Sequence, residues 1–261
     1  MANPKIFIDD LEDGPEIVRG TLPVTGTSER TDWLRRFSAP PEPAIRRDAD
    51  PYSPAYARTD IEETAGTILH FWFDYAADRP ALLAERNALW FGGGFELDRI
   101  IAHRFTGIVA MLASGEARRW AMRSARHRLA ASVALDQFTR NIFRNDAAAF
   151  ENDPLALALT KEAILSTEDL TLKPVERMFL YMPLMHSESA TDQRRSLEKF
   201  TALAEAAPPG AESSFANTLD FAKKHAAIIR RFGRYPHRNA MLGRTSTQAE
   251  RTFLQKPGSG F

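Results

Sequence analysis

Leu135-Asp136-Gln137-Phe138-Thr139-Arg140-Asn141-Ile142-Phe143-Arg144 is the stretch on which the reading of the chain turns. Leu135, Phe138 and Ile142 recur at helical spacing, the apolar stripe of a core helix. On a second face Asp136, Arg140 and Arg144 follow one another four residues apart, with Gln137 and Asn141 beside them. A helix face turned to water usually carries Lys and Glu. Arg, Asn, Gln and Asp instead make directed hydrogen bonds of fixed geometry. The stretch reads as a core helix that walls a polar site or a buried polar network.

The helical period continues on both sides. Asp60-Ile61-Glu62-Glu63 has the form of a capping box, and Ile61, Ala65, Ile68, Leu69 and Trp72 follow at helical spacing. Pro80 breaks the run, residues 81–91 resume it, and Gly92-Gly93-Gly94 breaks it again. Residues 95–114 predict a strong amphipathic helix stopped by Gly115, and 127–143 the helix that holds the opening stretch. Asp153-Pro154 pairs an N-cap with Pro at the first helical position, and Lys173-Pro174 starts another helix. Pro183 should kink or end that helix, because proline lacks the backbone donor. Residues 191–206 and 214–232 give two more helices, the second ended by Gly233, and Thr247-Gln248-Ala249-Glu250 caps a last short one.

No period-two strand is evident after residue 60. The expected fold is all-α, with stacked antiparallel helical hairpins in the tetratricopeptide-like manner over residues 60–261. No sequence repeat marks the stack. Residues 1–59 differ: eight of the chain's 16 prolines fall before residue 55. Lys5 to Ile8 and Glu16 to Val18 could pair as short strands, and residues 31–37 could form a turn or two of helix. This irregular extension reads as an arm packed on the body, or as a lid or partner-binding arm anchored by Trp33, Leu34 and Phe37.

With 34 basic and 34 acidic side chains the formal charge is zero, which argues against a broad nucleic-acid binder. Without cysteine there is no disulfide, thiolate nucleophile or Cys-ligated metal. No apolar run reaches the roughly 20 residues that span a bilayer, and the first residues lack a signal-peptide core. The expectation is a soluble, cytoplasmic protein with no membrane partner.

Three polar clusters lie on or beside apolar segments: Asp136/Gln137/Arg140/Asn141/Arg144, His186/Glu188/Asp192, and Arg234/His237/Arg238/Asn239. Burying such groups is costly unless they are paired. One reading is a site for a small anion. Arg140, Arg144, Arg234 and Arg238 fork onto a carboxylate or phosphate, aided by Gln137, Asn141 and Asn239. His186 or His237 then carries the proton, oriented by Glu188 or Asp136. In the opposing reading the acids already neutralise the arginines, as buried struts between helices, and the protein is a non-catalytic module for a peptide or partner protein. His186-x-Glu188 with Asp192, His225 and His237 could hold a metal, but the spacing is irregular and no helical His-Glu-x-x-His occurs. No metal or other cofactor is expected. Trp72-Phe73 and Trp90-Phe91 read as core packing between two helices rather than a stacking box for a cofactor.

Several of these segments, in order, resemble one bacterial family. They are Ile68-Leu69-His70-Phe71-Trp72-Phe73, Trp90-Phe91-Gly92, the whole of 135–144, Tyr181-Met182-Pro183-Leu184-Met185-His186-Ser187-Glu188, Asp192-Gln193, and Arg231-Phe232-Gly233-Arg234-Tyr235-Pro236-His237-Arg238-Asn239. The family is domain of unknown function 924, and the resemblance covers roughly residues 60–255. It implies a tetratricopeptide-like helical fold. It implies no activity, so no catalytic residue is carried over. The family pattern has Pro where this chain has Thr139.

Overall fold

The computed structural model describes residues 56–92 and 94–259, all of them helical or in the turns between helices. The strands and helical turn expected within residues 1–55 lie outside the described residues. The first helix, α1 (Tyr56–Phe73), is already running at Asp60, so the expected capping box sits inside it. Its last carbonyls are capped from α2 (Leu83–Gly92). Arg86 donates to the Phe71 and Trp72 carbonyls at 3.0 and 3.1 Å, and Trp90 Nε1 to that of Trp72 at 2.9 Å. Side chains of a following helix commonly serve the carbonyls of a last turn in this way.

The expected helix at 95–114 is α3 (Phe95–Met111) followed by a wide turn, Leu112–Glu116. Gly115 in that turn has φ 126°, which a side chain would resist. Then come α4 (Ala117–Ala121) and α5 (Ala125–Val133), whose first turn is capped by Ser124. From His127 to Thr139 every residue is buried, so this is the central element of the fold. It packs against α1, α4 and two later helices, α7 (Asp153–Leu165) and α8 (Pro174–His186). The N-cap of α7 is Asn152 rather than Asp153, which shifts the expected start by one residue.

Between α5 and α6 (Thr139–Ile142) the helix widens into a π turn, Ala134–Phe138. The Thr139 N–H reaches the Ala134 carbonyl, five residues back instead of four. Such insertions inside α-helices are often found at functional sites.

Pro183 neither ends nor interrupts α8, which runs on to His186. Side chains from neighbouring helices bond other carbonyls of its second half. Thr160 Oγ1 bonds the Leu180 carbonyl at 2.7 Å, and Gln193 Nε2 the Met185 carbonyl at 2.8 Å. The chain finishes with α9 (Ala190–Glu205), α10 (Glu212–Phe232) and α11 (Gln248–Leu254). Ser189 caps α9, Gly233 ends α10 at φ 68°, and Thr247 with Glu250 forms the expected box at α11. Helix α9 packs on both α8 and α10, its sequence neighbours.

The two Trp-Phe pairs meet in the core around Phe179. Trp72, Phe73 and Trp90 place their rings 5.5, 5.4 and 4.5 Å from it. Only Phe91 of the four reaches the surface, 54% exposed. Full burial of each such ring contributes roughly 1.5–3 kcal/mol. No helix among the described residues is long and apolar enough to cross a membrane.

Candidate functional site

The π turn points Asp136 at the end of α8. Its carboxylate is 1% exposed and accepts on both oxygens. Oδ1 takes His186 Nδ1 at 2.7 Å and Arg140 Nη1 at 3.0 Å, and Oδ2 takes the Gln137 amide. Burial pushes this carboxyl up, but the Arg140 guanidinium and the His186 and Gln137 donors outweigh it and hold it below the usual range. An ionised carboxylate only accepts, so Nδ1 of His186 carries the proton and Nε2 the lone pair. Nε2 makes no hydrogen bond with any described residue, and 15% of the side chain is exposed. Burial, then the nearby Arg140 cation, lower the His186 pKa despite Asp136, so the ring is neutral at pH 7.

Asp153 supplies the other negative charge. It stands in the first turn of α7, where the helix dipole favours an acid. Its oxygens lie 2.9 and 3.0 Å from the Arg140 guanidinium, and Oδ2 lies 3.1 Å from Arg238 Nη1. Arg238 also donates to the His186 carbonyl at 3.1 Å and is clasped between the rings of Phe150 and Tyr235, 4.5 and 4.7 Å away. Its buried Nε has no acceptor among the described residues.

Beside these five bonded residues, Asp136, Arg140, Asp153, His186 and Arg238, stands Tyr235, fully buried. Its hydroxyl donates to the Met185 carbonyl and accepts from Gln193 Nε2 at 2.8 Å. His225 and His237 flank that ring at 5.6 and 5.5 Å, and His225 lies 6.2 Å from His186. Burial lowers both imidazoles. His237, with Arg238 adding to the effect, is pushed down to about 4. The Nδ1 of His225 bonds the Phe221 carbonyl at 2.8 Å, not a carboxylate.

The first polar cluster divides. Asp136, Gln137 and Arg140 turn inward, Gln137 also touching the Met182 sulfur at 3.4 Å. Asn141 and Arg144 bond Asp98 on α3 instead. The helix stops at Ile142, so Arg144 is never on the face that a continuous helix would give it. In the second cluster His186 joins Asp136, whereas Glu188 takes Arg244 and the Tyr235 N–H. Asp192 holds Lys161 and Ser187. In the third, Arg238 joins Asp153 and His186, Arg234 pairs with Glu250, and Asn239 bonds Ser246 at 3.0 Å. Among the described residues no group of three or more His, Asp or Glu side chains stands at metal-ligating spacing.

Asp153, Tyr235, Phe150 and Gln193 complete the site, and the sequence reading assigned none of them to it. Asp153 has a sequence signal only as a helix start. Tyr235 and Gln193 stood in quoted motif segments, beside His237 and Asp192, without a role.

Fold and site together define an all-α protein with a buried carboxylate–histidine pair set among paired arginines. The chain belongs to the family described as bacterial protein of unknown function (DUF924), whose model matches residues 68–258. It is similar to a solved protein of unknown function from Agrobacterium tumefaciens. The two share 31% identity over 75% of this chain and 99% of the other, with a TM-score of 0.62. No curated protein matches the chain.

Proposed function

We infer that the protein binds a small anion, a carboxylate or phosphate, at Arg140 and Arg238, with His186 as the proton carrier of the site. One observation carries this reading. A fully buried carboxylate, Asp136, fixes the His186 ring with Nδ1–H engaged, which leaves the Nε2 lone pair for a ligand. A carboxylate behind an imidazole is the arrangement that sets tautomer and orientation in acid–base sites. General acid–base help of this kind contributes typically 10²–10⁴-fold where chemistry follows binding. His186 is favoured over His237 because its Nδ1 bonds the buried Asp136 carboxylate at 2.7 Å. Glu188 has no part in orienting a histidine, since Arg244 occupies it.

The test is a thermal-shift screen of acetate, larger carboxylates, inorganic phosphate and nucleotides against the wild type and His186→Gln. A ligand at about 100 times its Kd stabilises the fold by roughly 2.7 kcal/mol. A hit that weakens in His186→Gln supports the reading. A screen without a hit, or a hit indifferent to His186→Gln and to Arg140→Gln, overturns it.

A second reading, a tetratricopeptide-like interaction module, draws on a different observation. Each arginine of the clusters has a carboxylate: Arg140 with Asp136 and Asp153, Arg144 with Asp98, Arg234 with Glu250, Arg238 with Asp153. Buried struts would be paired in this way. On this reading a peptide binds along the helices, and its affinity does not change in His186→Gln.

A further inference from the structure

The charges at the site cancel when His186 is neutral. Arg140 and Arg238 bring two positive charges, Asp136 and Asp153 two negative ones, and the adjoining Glu188–Arg244 pair adds nothing net. Asp153, 19% exposed and bridging both guanidiniums, stands where an incoming carboxylate would stand. An anion arriving here therefore adds one uncompensated negative charge among groups shielded from water. That is costly unless a counter-charge appears.

The groups that face His186 are Asp136 and Arg140 from its partner helix, Asp153 from α7, and His225 from α10. His237 and Arg238 face it from the loop after α10. His186 has a carboxylate on Nδ1 to support a second proton; His225 has a carbonyl there. Arg140 opposes that proton in the empty site. An anion lying on Arg140 would offset the opposition and add its own attraction.

We propose that an anion enters this site together with one proton, which Nε2 of His186 takes from water. No bond within the ligand changes, and the imidazole becomes imidazolium opposite the bound anion. This rests on the anion-site reading above, and it adds that the ligand is recognised as an ion-plus-proton pair.

The experiment is titration calorimetry of the full chain with acetate and with inorganic phosphate, in two buffers of different ionisation enthalpy, at pH 6, 7 and 8. The wild type should take up close to one proton per acetate, and affinity should fall towards tenfold per pH unit above the pKa of the empty site. Asp153→Asn removes one negative charge, so it should bind acetate without proton uptake and with little pH dependence. As a readout free of substitutions, the His186 Nε2 nitrogen resonance of the wild type should move to its protonated position when acetate is added at pH 7. Binding without proton uptake and without movement of that resonance overturns the proposal and leaves the anion site standing. Binding of neither probe, to wild type or to Asp153→Asn at any of these pH values, overturns the anion site and the proposal with it.

Discussion

Nδ1 of His186, at the last residue of α8, donates to Oδ1 of Asp136, inside the π turn of the central helix, across 2.7 Å. The bond ties two helices together and fixes a tautomer in one contact. It also fixes which substitutions should be costly, because Asp136 is 1% exposed and its neighbours depend on it for their pairing.

Asp136→Asn should destabilise the fold by about 3 kcal/mol or more, because it leaves Arg140 short of a buried counter-charge. Urea unfolding at pH 7 measures this. Acid gives a second readout. The folded carboxyl lies below its unfolded value of about 3.9, so its contribution is full above about pH 5. It drains as pH falls through the unfolded value toward the lower folded one. The variant should lose less stability than the wild type between pH 5 and 2. Parallel acid curves would show that Asp136 is not the ionised partner described above.

His237 makes a prediction of the same kind with a different window. Its folded imidazole is pushed down to about 4 by burial and by Arg238, against about 6.5 unfolded. The folded state therefore binds fewer protons between those values. Stability is full above about pH 6.5 and falls on acidification toward pH 4. His225 and His186, also lowered, act with the same sign. In His237→Gln the slope of stability against pH should be shallower by up to about 1.4 kcal/mol per pH unit across that window. Urea midpoints at pH 7, 6 and 5 decide it; an unchanged slope would mean that His237 titrates normally.

How far the sequence reached is clearest from particular residues. The 3.6 period placed α3, α9 and α10 within a few residues of their bounds. Gly233 and the Thr247–Glu250 box marked two ends through chemistry that is local to the chain. The Trp-Phe pairs were legible as core for the same reason. The pairing of Asp136 with His186 was only one option among several, because a partner fifty positions away leaves no local trace. Asp153 looked like a cap and nothing else. The π turn was invisible, since an inserted residue changes helical phase without changing composition, and it accounts for part of the division between Arg140 and Arg144. Pro183 misled for a physical reason. Pro183 withholds only the donor to the carbonyl four residues back, that of Phe179, and the helix runs on to His186 across that one gap.

Tyr235→Phe should cost only about 1 kcal/mol, even though the hydroxyl is fully buried. The Met185 carbonyl that loses the phenolic donor keeps Gln193 Nε2 at 2.8 Å. Gln193→Leu should cost more, about 2–3 kcal/mol, because one amide serves the Met185 and Ser187 carbonyls and the Tyr235 hydroxyl together. Thermal unfolding of the two variants gives the order. A larger loss in Tyr235→Phe would mean that the tyrosine, not the glutamine, is the hub that supports the end of α8.

Thr139→Pro tests the π turn directly. In the interior of an ordinary α-helix proline costs about 3 kcal/mol, through a lost bond and a clash with the carbonyl four residues back. Here the Thr139 N–H bonds the Ala134 carbonyl, five back, so the Leu135 carbonyl is not the partner displaced by the ring. Proline should remove one bond of the widened turn and the contact of Thr139 Oγ1 with Asn152, 3.3 Å away. The expected loss is about 1–1.5 kcal/mol, with the His186–Asp136 contact kept. Urea unfolding gives the magnitude, and the His186 nitrogen resonances report whether the dyad survives. A loss of 3 kcal/mol or more, with the His186 signals displaced, would show that the helix runs through residues 134–138 without the turn.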